Sequence, residues 1–213
     1  VGPRYQEYSR LIHESGTHLL DLINSVLDMS KIEAGKFELT EELFDLEETA
    51  ASAVRFLKIP AERAGMVLTL DVASGARQVY ADRRAVKQIL VNLLSNGVKY
   101  TQPGGKVQGG AEAAPHGGGR SVSDTGTGIS AEDLKRLGQP FEQVEGAETR
   151  AKEGTGLGLA LVKALAAMHG GEAELSSTLG EGTTVRVRLP YAVVDSGGER
   201  LNSARIIPFR AAS

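Results

Sequence analysis

Residues 83–99 constrain the fold more than any other segment, because they read as one helix with two faces that cannot share an environment. At 100° per residue, Gln88, Asn92, Asn96 and Lys99 fall within roughly 80° of one another, while Val86, Ile89, Leu90 and Leu93 centre on the opposite side. One face belongs to a core and the other is a dense polar stripe that continues toward Tyr100 and Thr101. Asp82 suits the N-cap of this helix. The stripe has two readings, a solvated helix face and a binding surface. Two Asn inside a helix have poor propensity and are odd choices for solvation alone. Amide oxygens at i and i+4 can share a hard cation that also holds phosphate oxygens, and Mg²⁺ favours sites with few protein ligands. Lys99 adds a point charge suited to phosphate.

Two glycine-rich motifs follow. Ser123, Asp124, Thr125, Gly126, Thr127, Gly128 and Ile129 stand at a strand end. A carboxylate accepts from an exocyclic amine, so Asp124 suits the adenine amino group, and Gly126 and Gly128 let backbone approach a flat ring. Taken alone the pattern is more often a plain turn. Gly154, Thr155, Gly156, Leu157 and Gly158 lead into an apolar helix over 157–169. Unpaired N–H groups at such a helix start, with glycines permitting close approach, suit phosphate. No Gly-Lys-Ser/Thr follows, so this is not a Walker A loop. Leu159 stands where a dinucleotide fingerprint needs its third Gly, which excludes that motif.

The rest of the chain supplies the frame. Tyr8, Ile12, Leu19, Leu22, Ile23, Val26, Leu27 and Ile32 keep helical spacing from Tyr5 to Ile32, with Gly35 placed to stop the helix. Nothing in the first 36 residues covers its apolar stripe, so pairing with another helix is expected. The periodicity then predicts a strand at Phe37–Leu39, a helix over Leu46–Ala64 and a strand at Met66–Val72. A strand near Lys106–Ala113, a turn at Gly117–Gly119 and a hairpin from Ala173 to Leu189 come next. Gly109 and Gly110 interrupt the first of these and are expected to mark a bulge. Residues 139–156 read as a mobile loop. Without a regular βαβ rhythm the fold class is α+β, with helices on one sheet face.

Composition adds exclusions. A formal charge of −3 and a 41% hydrophobic fraction give no basic excess for nucleic acid or anionic lipid. No Cys is present, which fits a reducing cytoplasm. No apolar run reaches the ~18–20 residues of a membrane span. The first residues, Val1, Gly2 and Pro3, suggest a piece of a longer protein.

The order and spacing of these motifs resemble the catalytic domain of sensor histidine kinases. Asn92–Thr101 looks like the N box, Asp124–Gly128 the G1 box, Pro140 and Phe141 the F box, and Gly154–Gly158 the G2 box. These boxes belong to the wider ATPase group that includes gyrase B, MutL and the Hsp90 chaperones. Asp28, Met29, Ser30, Lys31, Ile32, Glu33, Ala34 and Gly35 resemble the end of the second helix of the dimerisation and phosphotransfer domain. In detail the chain is similar to alphaproteobacterial cell-cycle kinases of the DivJ and PleC kind. The resemblance implies a Bergerat-type α/β sandwich, a mixed sheet with helices on one face, preceded by a long dimerisation helix. It divides the chain into residues 1–36, the partial second helix; 37–193, the ATP-binding domain; and 194–213, a tail.

It further implies ATP and Mg²⁺ as ligands, the metal on Asn92 and Asn96. Lys99, Tyr100, Asp124, Gly126, Gly128, Ile129, Gly154, Thr155, Gly156, Leu157 and Gly158 would contact the nucleotide. Arg150 and Lys152 lie in the same lid. The implied reaction sends the γ-phosphoryl of ATP to a histidine and on to an aspartate of a response-regulator receiver domain, in a cytoplasmic homodimer. The family's acceptor box, however, is missing: His13, His18, His116 and His169 do not occupy one, so no catalytic residue is assigned within these 213 residues. A regulatory nucleotide-binding module without phosphoryl transfer is the alternative, and its mark would be lost box residues. A gyrase- or Hsp90-like hydrolase places a Glu one turn before the first Asn, where this chain has Gln88, which cannot act as a general base.

Overall fold

A computed structural model describes residues 3–114, 117–143 and 155–190. Helix α1 (Pro3–Glu33) follows the predicted periodicity. Its end is closed by the bonds Gly35 N–H to Ile32 O and Lys36 N–H to Lys31 O. Residues 36–40 carry no regular structure, and strand β1 is Glu41–Asp45 rather than the expected Phe37–Leu39. The reason is instructive: Phe37 and Leu39 pack against the core, which produces the alternation, but only 41–45 find a partner strand. Asp45 then caps α2 (Leu46–Arg63) by accepting from the Glu47 and Glu48 N–H groups.

Strands β2 (Val67–Val72) and β3 (Gln78–Asp82) precede α3 (Arg83–Tyr100). β3 pairs antiparallel with β1 in a two-stranded sheet. After α3 come β4 (Lys106–Ala114), β5 (Gly117–Asp124), the one-turn α4 (Ala131–Leu134), α5 (Gly158–Met168), β6 (Glu172–Thr178) and β7 (Gly182–Leu189). The main sheet has the order β2-β4-β5-β7-β6, with β2 and β4 parallel and all other pairs antiparallel. A mixed sheet with helices against it is the α+β arrangement expected.

Two expectations need correction. Gly117–Gly119 is the start of β5, not a turn, because both neighbours hold it: Gly118 and Gly119 pair with Leu189 and Arg188 of β7 and with Ala113 and Glu112 of β4. Tertiary pairing overrides the poor strand propensity of Gly. Nor is there a bulge at Gly109 and Gly110, which keep unbroken register with both β2 and β5. A methyl on Gly109 would meet Leu70 at 3.1 Å, so the missing side chain makes room for the neighbouring strand's leucine.

One core unites sheet and helices. Val107, Ala111, Val122, Val187 and Leu189 meet Leu57 of α2, Val86, Ile89, Leu93 and Leu94 of α3, and Leu161, Val162 and Leu165 of α5. α1 differs. Tyr5, Tyr8, Ile12, Leu19, Leu20, Ile23 and Leu27 remain exposed; its last turn packs on the core through Ile32, and Leu22, Ser25 and Asp28 line a cavity shared with α3.

Candidate functional site

The apolar face of α3 is buried through Val86, Ile89, Leu90, Leu93 and Leu94, which turns Gln88, Asn92, Asn96 and Lys99 outward onto a cavity of about 690 Å³. Tyr100, Asp124, Gly128, Ile129, Thr155, Gly156 and Gly158 line the same cavity. The separate motifs of the sequence thus converge on one space.

At one end stands Asp124, the last residue of β5. Burial pushes its carboxyl above the ordinary carboxylate range, and backbone N–H groups of Gly126 and Thr183 oppose that shift. The Gly126 N–H lies 2.9 Å from Oδ1. Gly128 has φ +66°, and a methyl there would stand 2.0 Å from the Thr178 carbonyl oxygen. Its flexibility therefore serves the close passage of the 126–129 loop over the β6–β7 turn, while the residue also lines the cavity. Gly126 similarly rests on the Tyr100 carbonyl, at 2.7 Å from an added methyl, and does not line the cavity. Ser177 ties the loop down, accepting from Ile129 N–H at 2.9 Å and donating to Gly182 O at 2.7 Å.

At the other end, α5 begins beside the amide pair. Asn92 donates from Nδ2 to Gly158 O at 3.5 Å, and a methyl on Gly158 would stand 3.9 Å from both Asn92 and Asn96. Among the described residues no side-chain cap bond closes the start of α5. The Thr155 hydroxyl accepts from the Leu157 N–H at 3.1 Å, and the first-turn N–H groups of an α-helix have no intrahelical partner. Lys99 Nζ sits 5.0 Å from the Tyr100 ring centroid, and burial raises the Tyr100 phenol's pKa. Gly156, at φ +71°, passes within 2.6 Å (as an added methyl) of the Phe141 backbone, which itself adopts φ 67° with its ring exposed.

Leu157 was expected among the nucleotide contacts. Its side chain is 1% exposed just ahead of α5, which leaves only its backbone for such a contact. Gly154, Arg150, Lys152 and His116 lie outside the described residues, as does the side chain of His18. His169 is structural: Nδ1 lies 2.8 Å from Leu165 O and Nε2 accepts from Asp82 N–H at 3.2 Å. Sequence reasoning missed Thr127, Leu137, Leu175, Thr183 and Val185, all of which line the cavity. Thr183 pairs directly with Asp124 across β5 and β7, a neighbour visible only once strand order is known. Among the described residues no cluster of His, Cys, Asp or Glu is arranged to hold a metal, and no helix is long and apolar enough to cross a membrane.

Residues 81–193 match the family model described as histidine kinase-, DNA gyrase B- and HSP90-like ATPase. The chain belongs to this family. It is 56% identical over 190 residues to histidine protein kinase DivJ of Caulobacter vibrioides, covering 89% of this chain and 32% of that protein. The non-motile and phage-resistance protein of the same organism is 52% identical over 191 residues, covering 88% of this chain and 23% of its own length. Full-length ShkA, solved in complex with AMPPNP, superposes with a TM-score of 0.77 at 31% identity, over 91% of this chain and 40% of that one. This ATPase family and these kinase relatives bear out the resemblance read from the boxes. The chain spans about a third or less of the length of the curated relatives it matches.

Proposed function

We propose that this chain is the ATP-binding catalytic part of a two-component sensor histidine kinase. Residues 1–36 would be the second dimerisation helix, 37–193 the ATP-binding domain and 194–213 a tail. The observation that carries the reading is the convergence of Asn92, Asn96 and Lys99, the start of α5, and Asp124 on one cavity. The ShkA complex with a nucleotide analogue supports ATP as the ligand. Asp124 would accept from the adenine amino group, with Thr183 beside it.

The amide pair fits Mg²⁺. Both donors are hard oxygens on adjacent turns of one helix, and engagement of Asn92 Nδ2 with Gly158 leaves the amide oxygen to a cation. When bound, the metal would neutralise charge on the phosphates. Lys99 and the α5 N–H groups hold the phosphates, so this chain's contribution to transfer is positioning and electrostatics. The nucleophilic histidine comes from an acceptor helix outside these 213 residues, and the phosphoryl group passes on to a response-regulator aspartate. The bare stripe of α1 would be covered in a homodimer, in a cytoplasmic setting.

Calorimetry with ATP tests the reading. Binding is expected with Mg²⁺, weakened about tenfold or more by chelation, and Asn92→Ala is expected to lose the Mg²⁺ dependence. Equal affinity of the variant and the unchanged chain would refute the metal assignment. Incubated alone with γ-labelled ATP, the chain takes up no acid-labile label; labelling would show an acceptor within it.

A further inference from the structure

Asp82 is 2% exposed, and its two carboxylate oxygens have different tasks. Oδ1 accepts from Arg84 N–H at 2.9 Å and Ala85 N–H at 3.1 Å, which caps α3. Oδ2 accepts from Thr40 N–H at 2.9 Å, on the linker between α1 and β1, 42 residues away in sequence. The Arg84 guanidinium lies 3.4 Å from Oδ2 and donates to the Thr40 hydroxyl at 3.4 Å. The Asp82 N–H is in turn held by His169, just past the end of α5. The linker from α1 and both helices that flank the candidate phosphate site therefore meet at one buried residue.

The neighbourhood is not packed solid. A second cavity, of about 400 Å³, separates Asp28 and Lys31 of α1 from Arg84 and Gln88 of α3. From Phe37 onward the linker is anchored by Phe37 and Leu39 in the core and by Thr40 on Asp82. Between the end of α1 and these anchors lie only Ala34, Gly35 and Lys36. A cap needs one carboxylate oxygen. The second serves the linker.

We propose that Asp82 is a positioning residue: it ties the α1 linker to the helix that carries Asn92 and Asn96, so that the angle between α1 and the nucleotide is set at Ala34–Lys36. Its weight for phosphoryl transfer rests on the kinase reading above; the tether itself does not. Asp82→Asn separates the two tasks. Asn caps helices about as well as Asp, so the Oδ1 bonds survive, while an NH₂ in place of Oδ2 faces the Thr40 N–H donor to donor.

The chain has no Cys, so spin labels at Tyr8→Cys on α1 and Lys58→Cys on α2 report the angle without background. The expected result is a narrow distance distribution in the otherwise unchanged chain and a broad one in Asp82→Asn. Thr40 amide exchange should rise about tenfold or more, with Arg84 and Ala85 amides and ATP·Mg²⁺ affinity within about twofold. Thr40→Pro removes the same N–H from the other side. It should reproduce the broadening and add nothing to Asp82→Asn. An unchanged distribution in both variants, or equal acceleration at Thr40, Arg84 and Ala85, would overturn the tether. Failure of the unchanged chain to bind ATP would remove the kinase reading, while the distance and exchange data decide the tether independently.

Discussion

At the Asp124 end of the cavity the chain is packed against itself, whereas at the Asn92 end two helices stand apart and leave room. Methyl groups added to Gly128 and Gly182 would lie 2.0 Å from Thr178 O and 1.9 Å from Asp124 O, both backbone atoms that cannot step aside. A methyl on Gly158 would meet only Asn92 and Asn96, at ordinary contact distance. Glycine is thus used for opposite purposes. At Gly128, and at Gly156 against Phe141, it lets segments of the backbone approach each other; at Gly158 it keeps space between α5 and the amide stripe. The same residue type carries stability at the first two positions and access at the third.

The largest effect that tests this contrast is on folding. Gly128→Ala combines a left-handed backbone with an unavoidable backbone clash and is expected to cost about 3–5 kcal/mol in urea unfolding. Gly180→Ala shares a positive φ of +85° but has open space, and should cost only about 1–2 kcal/mol. Equal losses would break the contrast, since backbone conformation alone would then explain both. Next comes affinity at the packed end. Asp124→Asn replaces an acceptor by a group that can present a donor to an amine, and nucleotide binding should weaken roughly 10- to 150-fold by calorimetry.

Much of this molecule was legible in its sequence, and the part that was not has a common cause. α1, α2, α3, α5 and the β6–β7 hairpin announce themselves because their signals are local and periodic. β1 and β3 do not, because each is a strand only by virtue of the other, and the alternation at Phe37 and Leu39 advertises burial without pairing. At the site, the spacing of Asn92, Asn96 and Lys99 sits on one helix and could be read directly. Thr183, Leu175 and Val185 enter from β6 and β7, so their place depends on strand order. The burial of the Leu157 side chain also has a local signal. Leu157, just ahead of α5, and Leu161 and Leu165 within it recur every four residues and are all buried.

Gly158→Ala sharpens the open end. The position begins a helix, where Ala is favoured over Gly, so stability should stay within about 1 kcal/mol. ATP·Mg²⁺ affinity should nevertheless fall about tenfold, because the methyl occupies the room between α5 and the amide pair. Loss of stability in step with affinity would show that this end, too, is packed for folding.

The smallest effect concerns the two carboxylates. For Asp82, burial acts to raise the pKa, but hydrogen bonds from the Thr40, Ala85 and Arg84 N–H groups and the Arg84 charge outweigh it, and the net shift is downward. For Asp124 burial wins over the N–H bonds from Gly126 and Thr183, and the shift is upward. Linkage then assigns opposite signs. Stability contributed by Asp82 is present above the ordinary carboxylate pKa and is lost as pH falls through its lowered folded value. Stability contributed by Asp124 is fully present below the ordinary value and is lost as pH rises through its raised folded value. Unfolding free energies across the acid range, compared with Asp82→Asn and Asp124→Asn, should therefore diverge. The advantage of the unchanged chain over Asp82→Asn grows with pH, and its advantage over Asp124→Asn shrinks. Parallel curves would mean that the bonds from Thr40, Arg84 and Ala85 do not favour the ionised form of Asp82, and that the packed end of the cavity does not desolvate Asp124.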